Sequence, residues 1–364
     1  MPDAVLRIGG QAHGGWTSIR VSTSLGQAAG GFGLGFSERH PGAPARQTVK
    51  AGAPCTVALD GVTVITGYVD GIEPSYDKES HTLTASGRDK TGDLVDCCHV
   101  GARTQWKGQD LAAIAQELCD PFGIEVNSLV DLPAPFENVS YGPGDTVLAT
   151  ITKLCRQREV LPISLGDGRL TLARAGQARA AGALELGKNI KAGRLSVNHA
   201  ERHSQYQVKG HGKAGAATLS FADAPKAKEK AAQFNKLCSP AGLVLDPVIK
   251  RHRPLVVLAE AAGDQAAFEA RARWEAASRA GKSRKASYTV KGWGPAPGAL
   301  WRINQLVRVT DEFLGLAEDL LIESADYSLD EQGSITTLGL VHPDAYAARP
   351  VAAKNIKTVL DFSG

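Results

Sequence analysis

Residues 57–71 read Val-Ala-Leu-Asp-Gly-Val-Thr-Val-Ile-Thr-Gly-Tyr-Val-Asp-Gly, and this stretch decides the class of fold. Residues 57–59 and 62–69 run as apolar, alternating segments on either side of Asp60-Gly61. That dipeptide is a strong hairpin signal, because a type I′ turn needs positive φ at both central positions. Similar patterns at residues 4–8, 16–21 and 82–86 extend the reading to a small antiparallel β domain at the N-terminus. Within it, residues 30–35 (GGFGLG) lack the G-x-G-x-x-G spacing and any surrounding βαβ unit, so they predict a mobile loop or a strand edge rather than a dinucleotide site.

From Gln105 the period changes. Leu111, Ile114, Ala115 and Leu118 mark one helical face, which Pro121 and Gly123 bring to an end before a short apolar run at 124–126. The order then recurs: Asp145 is a candidate cap for a helix carrying Val147, Leu148, Ile151 and Leu154, followed by an apolar run, a Gly166-Asp167-Gly168 turn and residues 170–172. Residues 103–175 thus predict a compact α+β domain, and the Ala/Gly-rich stretch 176–188 reads as a linker.

Strand pattern returns at Tyr206-Gln207-Val208-Lys209-Gly210, lapses through an Ala/Lys-rich stretch at 213–236, and gives way to a helix over 264–280 with Asp264 as candidate N-cap and Gly281 just past its end. It resumes at Tyr288-Thr289-Val290-Lys291-Gly292 and continues through 306–309, 320–323 and 335–340, which predicts a β domain interrupted by an inserted, helix-containing one. Residues 62–89 and 320–344 share an apolar strand, a Val69-Asp70 or Ala325-Asp326 step, a polar turn and a Thr-rich strand, so two related β barrels are expected in one chain.

The 364 residues carry 41 Lys plus Arg against 38 Asp plus Glu, and a net charge of +3 selects neither nucleic acid nor an anionic membrane as partner. With 43% hydrophobic and 22% charged residues, a folded globular protein is expected. The longest strongly apolar stretch, 254–259, is far short of a membrane span, and the first ten residues lack a signal-peptide pattern, which makes the cytoplasm the default compartment. Six cysteines (Cys55, Cys97, Cys98, Cys119, Cys155 and Cys238) form no C-x-x-C pair and read as reduced, mostly buried thiols, including the pair beside His99.

Motifs for chemistry fail on context. Residues 276–283 (AASRAGKS) match a relaxed phosphate loop, but a helix precedes Gly281 and a strand follows, the reverse of the order that aims backbone amides at phosphate. His199 and His203 bracket Glu201 without a third ligand, and no nucleophile elbow or spaced carboxylate pair appears. No catalytic, metal or cofactor residue is therefore nominated. Residues 248–291 hold ten Lys/Arg and four acids, a local excess of six that reads as a solvated helix face or a site for an acidic protein.

Gly14-Gly15-Trp16-Thr17-Ser18, Gly67-Tyr68-Val69-Asp70, Gly87-Arg88-Asp89-Lys90-Thr91, Asp93-Leu94-Val95-Asp96-Cys97, Gln105-Trp106-Lys107, residues 118–123, Tyr206 to Gly210, Arg251-His252-Arg253-Pro254 and Gly292-Trp293 occur in this order. In these peptides, from about residue 4 to 346, the chain resembles the baseplate hub proteins of Mu-like contractile-tailed phages, the tail protein P family. Residues 213–247 and the chain after Ala347 depart from that pattern.

The resemblance implies a mixed β and α+β multidomain fold: two small antiparallel β-barrel domains plus two α+β domains, one inserted in the second barrel. On this chain they would be residues 1–100 (first barrel), 101–180 (α+β), 185–212 plus 287–346 (second barrel) and 213–286 (insert), with 347–364 as a C-terminal tail. It further implies a homotrimer whose alternating barrels form a pseudo-sixfold ring. That ring joins the tail tube, or a tube-initiating protein, to the central spike, touches wedge and tape-measure proteins, and lets DNA pass without sequence-specific binding or membrane insertion. Such a protein is no enzyme, needs no cofactor, and ends in the virion after assembly in the host cytoplasm. A tail-associated cell-wall hydrolase, or the same hub in a headless contractile bacteriocin or injection device, is the alternative. Arg88, Asp89, Lys90 and Asp93 are nominated as a salt-bridged junction between the first two domains, and Trp16, Trp106, Lys209, Gly210, Lys291 and Gly292 as structural or interface positions.

Overall fold

The computed structural model describes residues 4–8, 11–14, 16–37, 49–76, 78, 81–210, 242–259, 265–296, 298–330 and 333–347. The chain forms two compact units, Met1–Val197 with Arg284–Ala348 and, between them in sequence, Asn198–Ser283. The fold is predominantly β with several sheets, a mixed multidomain architecture.

The first unit begins with β1 (Ala4–Ile8), β2 (Gln11–His13), β3 (Ser18–Ser24), β4 (Gln27–Ser37), β5 (Pro54–Leu59), β6 (Val62–Tyr76) and β7 (His81–Asp89). Asp60 (φ 48°) and Gly61 (φ 78°) make the β5–β6 turn, with the two positive angles that the dipeptide demands. The glycine-rich stretch is not a loop. It lies inside β4, paired on both sides with β3 and β7, and the apolar Phe32 and Leu34 alternate with Gly31, Gly33 and Gly35 so that only one face is buried. Gly67 and Gly87 allow β6 and β7 to approach: a Cβ on Gly67 would sit 1.9 Å from the Arg88 carbonyl oxygen, and one on Gly87 would sit 2.0 Å from that of Tyr68.

Next come α1 (Gly92–Asp96), β8 (Gln105–Trp106), α2 (Leu111–Cys119), β9 (Val126–Ser128), β10 (Val139–Ser140), α3 (Val147–Arg156), β11 (Leu161–Ile163) and β12 (Leu170–Ala173). The expected face of α2 is buried, with Ile151 and Leu154 of α3 and Trp106 in the same core, and Asp110 caps α2 by accepting from the Ala113 amide at 2.7 Å. The cap of α3 is Thr146, not Asp145: the Thr146 hydroxyl accepts from the Ala149 amide at 3.2 Å, while the Asp145 carboxylate is held by Lys153 at 2.6 Å. Burial pushes the Cys119 and Cys155 thiols up to about 12, which makes them inert packing groups. Cys97 and Cys98 are exposed, contrary to the buried reading, because α1 ends at Asp96 and the chain runs out along the surface. Cys238 lies outside the described residues.

The supposed linker contains β13 (Ala178–Arg179) and β14 (Leu184–Glu185) and leads to β15 (Ile190–Val197). The second unit holds β16 (Gln205–Lys209), β17 (Gly242–Leu245), β18 (Pro254–Leu258) and α4 (Gln265–Lys282). Here β16, expected in the second barrel, pairs antiparallel with β17 and parallel with β18, and Val208 packs on Phe268 and Ala272 of α4. A five-residue alternation marks a strand without saying which sheet receives it. α4 runs through Gly281, which is buried, to Lys282, so that glycine does not end it. Asp264, the stretch 213–236 and the tail from 348 lie outside the described residues.

The chain then completes the first unit with β19 (Arg284–Lys291), β20 (Gln305–Asp311), β21 (Leu316–Asp330) and β22 (Gly333–Val341). Among the described residues fourteen strands form one sheet in the order β15-β19-β22-β21-β3-β4-β7-β6-β5-β1-β2, with β13 and β14 on β20 and β20 on β21. The path contains one arrangement twice, β3-β4-β7-β6-β5 and β15-β19-β22-β21-β20, antiparallel throughout. No strand pairing among the described residues closes either half into a barrel. Bulges fix the equivalence: the β6–β7 ladder shifts at Asp70 and the β21–β22 ladder at Glu323, so the partner of Val69-Asp70 is Ile322-Glu323, three residues before the step that sequence matching selects. One difference stands out. Ser24 and Gln27 are joined by the two-residue turn Leu25-Gly26, whereas the paired ends Val197 and Arg284 are bridged by the whole second unit.

Candidate functional site

The two halves join where β21 outruns β20. Its first part pairs with β20 as far as Leu321, and on the same edge Ser324 to Leu329 pair antiparallel with β3, from Ser324↔Ser24 to Leu329↔Ile19. The Leu25 amide donates to the Glu323 carbonyl at 2.8 Å at the head of this seam. The Glu323 carboxylate takes Lys285 at 2.9 Å and the Tyr346 hydroxyl at 2.8 Å, tying β19, β21 and the short helical turn Pro343–Tyr346 together. On the seam Arg20 lies diagonally from Asp326, since Asp326 opposes Ser22 and Ser328 opposes Arg20. Burial pushes the Asp326 carboxyl up, and the positive charge of Arg20 works against that.

The nominated residues fall into separate places. Arg88, on β7, donates through Nε to Asp70 at 3.0 Å and through Nη2 to Asp96 at 2.7 Å, linking the β6 bulge to α1. Both carboxylates stabilise the guanidinium charge, and in turn Arg88 holds the exposed Asp96 carboxyl below the usual range. Lys90 donates to the Gly123 carbonyl at 3.0 Å, beyond the end of α2. Among the described residues Asp93 makes no ion pair; it lies in the first turn of α1. Asp89 is buried and accepts from the Thr91 amide at 3.0 Å, while the single proton of the Thr91 hydroxyl is shared between the Asp89 carboxylate and the Ala28 carbonyl, each at 2.9 Å.

Burial pushes the Asp89 carboxyl up, against the hydrogen bonds from Thr91. The native chain therefore binds this proton more tightly than the unfolded one. Stability from the group is full below the unfolded value of about 3.9 and is lost as pH rises through the raised native value. Asp89→Asn, which keeps an acceptor for Thr91, is expected to abolish that decline. Urea midpoints measured between pH 4 and 7 check it, and an unchanged slope would refute it.

Trp16 and Trp106 are buried, their indole N–H groups donating to the Ala4 carbonyl at 3.1 Å and to Glu117 at 2.8 Å. Lys209 and Gly210 end β16, where a Cβ on Gly210 would meet the Phe268 ring at 2.7 Å. Lys291 and Gly292 end β19; Gly292 has φ 79° and its carbonyl accepts from Thr336 at 2.7 Å. The basic excess of 248–291 is largely committed within the fold: Arg271 and Arg279 to Glu275, Arg273 to Glu269, Arg284 to Glu318, and Arg253 to the carbonyls of His199 and Ala200.

Residues of the seam, Arg20 and Asp326 above all, escaped sequence reading. The available signal was length: β6 and β21 each span 15 residues, against six in β5 and seven in β20, so each has an edge left over for another strand.

Three family models match in chain order: Mu phage baseplate assembly protein GpP-like, N-terminal, over residues 3–89; baseplate hub protein gp44-like, second domain, over 91–174; and Mu phage baseplate assembly protein GpP, fourth domain, over 264–349. The baseplate hub protein gp44 of Escherichia phage Mu is 30% identical over 336 residues, covering 91% of this chain and 85% of that protein. The 43 kDa tail protein of prophage MuSo2 from Shewanella oneidensis superposes with a TM-score of 0.79 at 36% identity, over 95% of this chain and 99% of that one. A tail protein from Neisseria meningitidis shares the fold at 21% identity and a TM-score of 0.75, over 94% and 99% of the two chains. With this duplicated sheet, a relative matched along nearly its whole length and no enzyme among these relatives, the chain belongs to the family of Mu-like phage baseplate hub proteins, structural components of a contractile tail.

Proposed function

We propose that three copies of this chain form a closed ring of six similar β modules, residues 1–100 and the strands β15 and β19–β22 supplying alternate, barrel-like members. The observation that carries the reading is the repeated strand order, joined within one chain by the β21–β3 seam. A heterologous contact that repeats the seam between copies closes after three and gives near-sixfold geometry from one gene product. One face of such a ring suits a sixfold tube and the other a threefold spike. The lumen would pass tape-measure protein and then DNA, and the modest charge of +3 fits a conduit that releases DNA rather than retaining it. Wedge proteins would meet the outer domains, and assembly would take place in the host cytoplasm before incorporation into the virion tail. Among the described residues no helix is long and apolar enough to cross a membrane.

The α+β stretch 101–180 and the insert would hang on this ring as separate domains, with Arg88 and Lys90 as the tether of the first. Light scattering across a concentration series is expected to reach a mass of about 115 kDa, three times 38.2 kDa. A single-copy mass at every concentration would overturn self-assembly into the ring.

A further inference from the structure

The duplication makes a statement about a pair of strand edges that do not meet within one chain. Matching the bulges at Asp70 and Glu323 makes Ile72 equivalent to Ala325, Glu73 to Asp326, Ser75 to Ser328 and Tyr76 to Leu329. Carrying the same match through β7 and β22 to the next strands makes Arg194 equivalent to Arg20, Leu195 to Val21, Ser196 to Ser22 and Val197 to Thr23. In the second half the edge of β21 beyond β20 is covered by β3. In the first half the matching edge of β6, past the last β5 pair at Tyr68, has no strand on it among the described residues, and β15 pairs only with β19. Both open edges present apolar side chains to solvent: Tyr76 is 84% exposed and Val197 55%.

We propose that residues 72–76 of one copy pair antiparallel with residues 193–197 of the next, in the register Ile72↔Val197, Glu73↔Ser196, Pro74↔Leu195, Ser75↔Arg194 and Tyr76↔Gly193. The occupant of each edge is thus a second copy of this chain, and the inference rests on the ring reading while adding which strands meet and how. Four features beyond the topology support it. The charge pair of the seam recurs, because Arg194 and Glu73 would lie on the same diagonal as Arg20 and Asp326. Ser196 and Ser75 repeat Ser22 and Ser328. The exposed Val197 would meet the half-buried Ile72, and the exposed Tyr76 would lie across from Gly193, its ring covering a position without a side chain. Pro74, equivalent to Tyr327, offers a carbonyl and no amide, as suits an edge strand that must refuse indiscriminate pairing.

The test places cysteines at Glu73 and Ser196, both exposed, in a chain whose exposed Cys97 and Cys98 are serines. Opposed residues of an antiparallel pair lie about 4.5–5.5 Å apart at Cα, within reach of a disulfide. Under mild oxidation the Glu73→Cys/Ser196→Cys chain is expected to give a covalent trimer, and a mixture of the two single variants nothing larger than a dimer. Glu73→Cys/Ala192→Cys, four positions out of register, should stay uncrosslinked. A trimeric mass by light scattering with no cross-link at Glu73/Ser196, or equal cross-linking at Glu73/Ala192, overturns the edge assignment and leaves the ring intact. A covalent ladder running past three copies keeps the pairing and overturns the closed ring. A single-copy mass with no cross-link at any concentration overturns both.

Discussion

A Gly67→Val chain is expected to lose about 3 kcal/mol or more of stability, seen as a fall of at least about 1 M in the urea midpoint of the first unit. The reason is not φ. A Cβ at residue 67 would lie 1.9 Å from the Arg88 carbonyl oxygen and 2.8 Å from both the Arg88 carbonyl carbon and the Asp89 Cα, all of them backbone atoms. Backbone held in a ladder cannot rotate away as a side chain can, so β6 and β7 would have to part at their last pairs, Gly67↔Asp89 and Tyr68↔Arg88, a few residues from the bulge at Asp70. Gly71→Ala is the control. There the nearest atom is the Ser86 hydroxyl at 2.9 Å, which a χ1 rotation removes, so the midpoint should move little. Equal losses in the two variants would refute the argument.

Glu275→Ala is expected to destabilise the second unit by about 3–5 kcal/mol. Glu275 is 7% exposed and accepts from Arg271 at 2.7 Å and from Arg279 at 3.3 Å, one arginine a turn before it on α4 and one a turn after. Arg271 is itself nearly buried, so truncation leaves a guanidinium without a counter-charge in a poorly hydrated place. Glu275→Gln, which keeps an acceptor and loses the charge, should fall between. Hydrogen exchange of the α4 amides reads the effect in the second unit alone; protection unchanged in Glu275→Ala would show that the triad contributes nothing.

What was legible in the sequence was local. Asp60-Gly61 announced its turn because two positive φ angles are a chemical demand that few residues meet, and Leu111, Ile114, Ala115 and Leu118 announced α2 by their period. Residues 30–35 misled because glycine depresses strand propensity, although Phe32 and Leu34 already carried the two-residue period that prevailed. Asp145 and Thr146 are both good caps, and only the first residue in helical geometry chooses between them. The family was legible because many short peptides recur in order. The seam was not. Ser24 and Ser324 stand three hundred residues apart, and nothing in either tells of the other until the duplicated strand order puts them on one edge. The nominated polar residues near Arg88 were found by their density of charge, which marks a well-tied corner as readily as an interface.

The turn Leu25-Gly26 and the unit Asn198–Ser283 occupy equivalent hairpin tips. A hairpin tip accepts a guest of any size provided the guest's own ends lie one strand spacing apart, and here the Asn198 amide donates to the Ser283 carbonyl at 2.8 Å. The first unit is accordingly a chassis with two sockets, one filled and one plugged. Swapping the contents, a dipeptide at 198–283 or a compact foreign domain at Leu25-Gly26, changes what the chassis carries without rewriting a single ladder. Such exchange lets a tail lineage acquire a new domain while the strand ladders of the first unit stay in register.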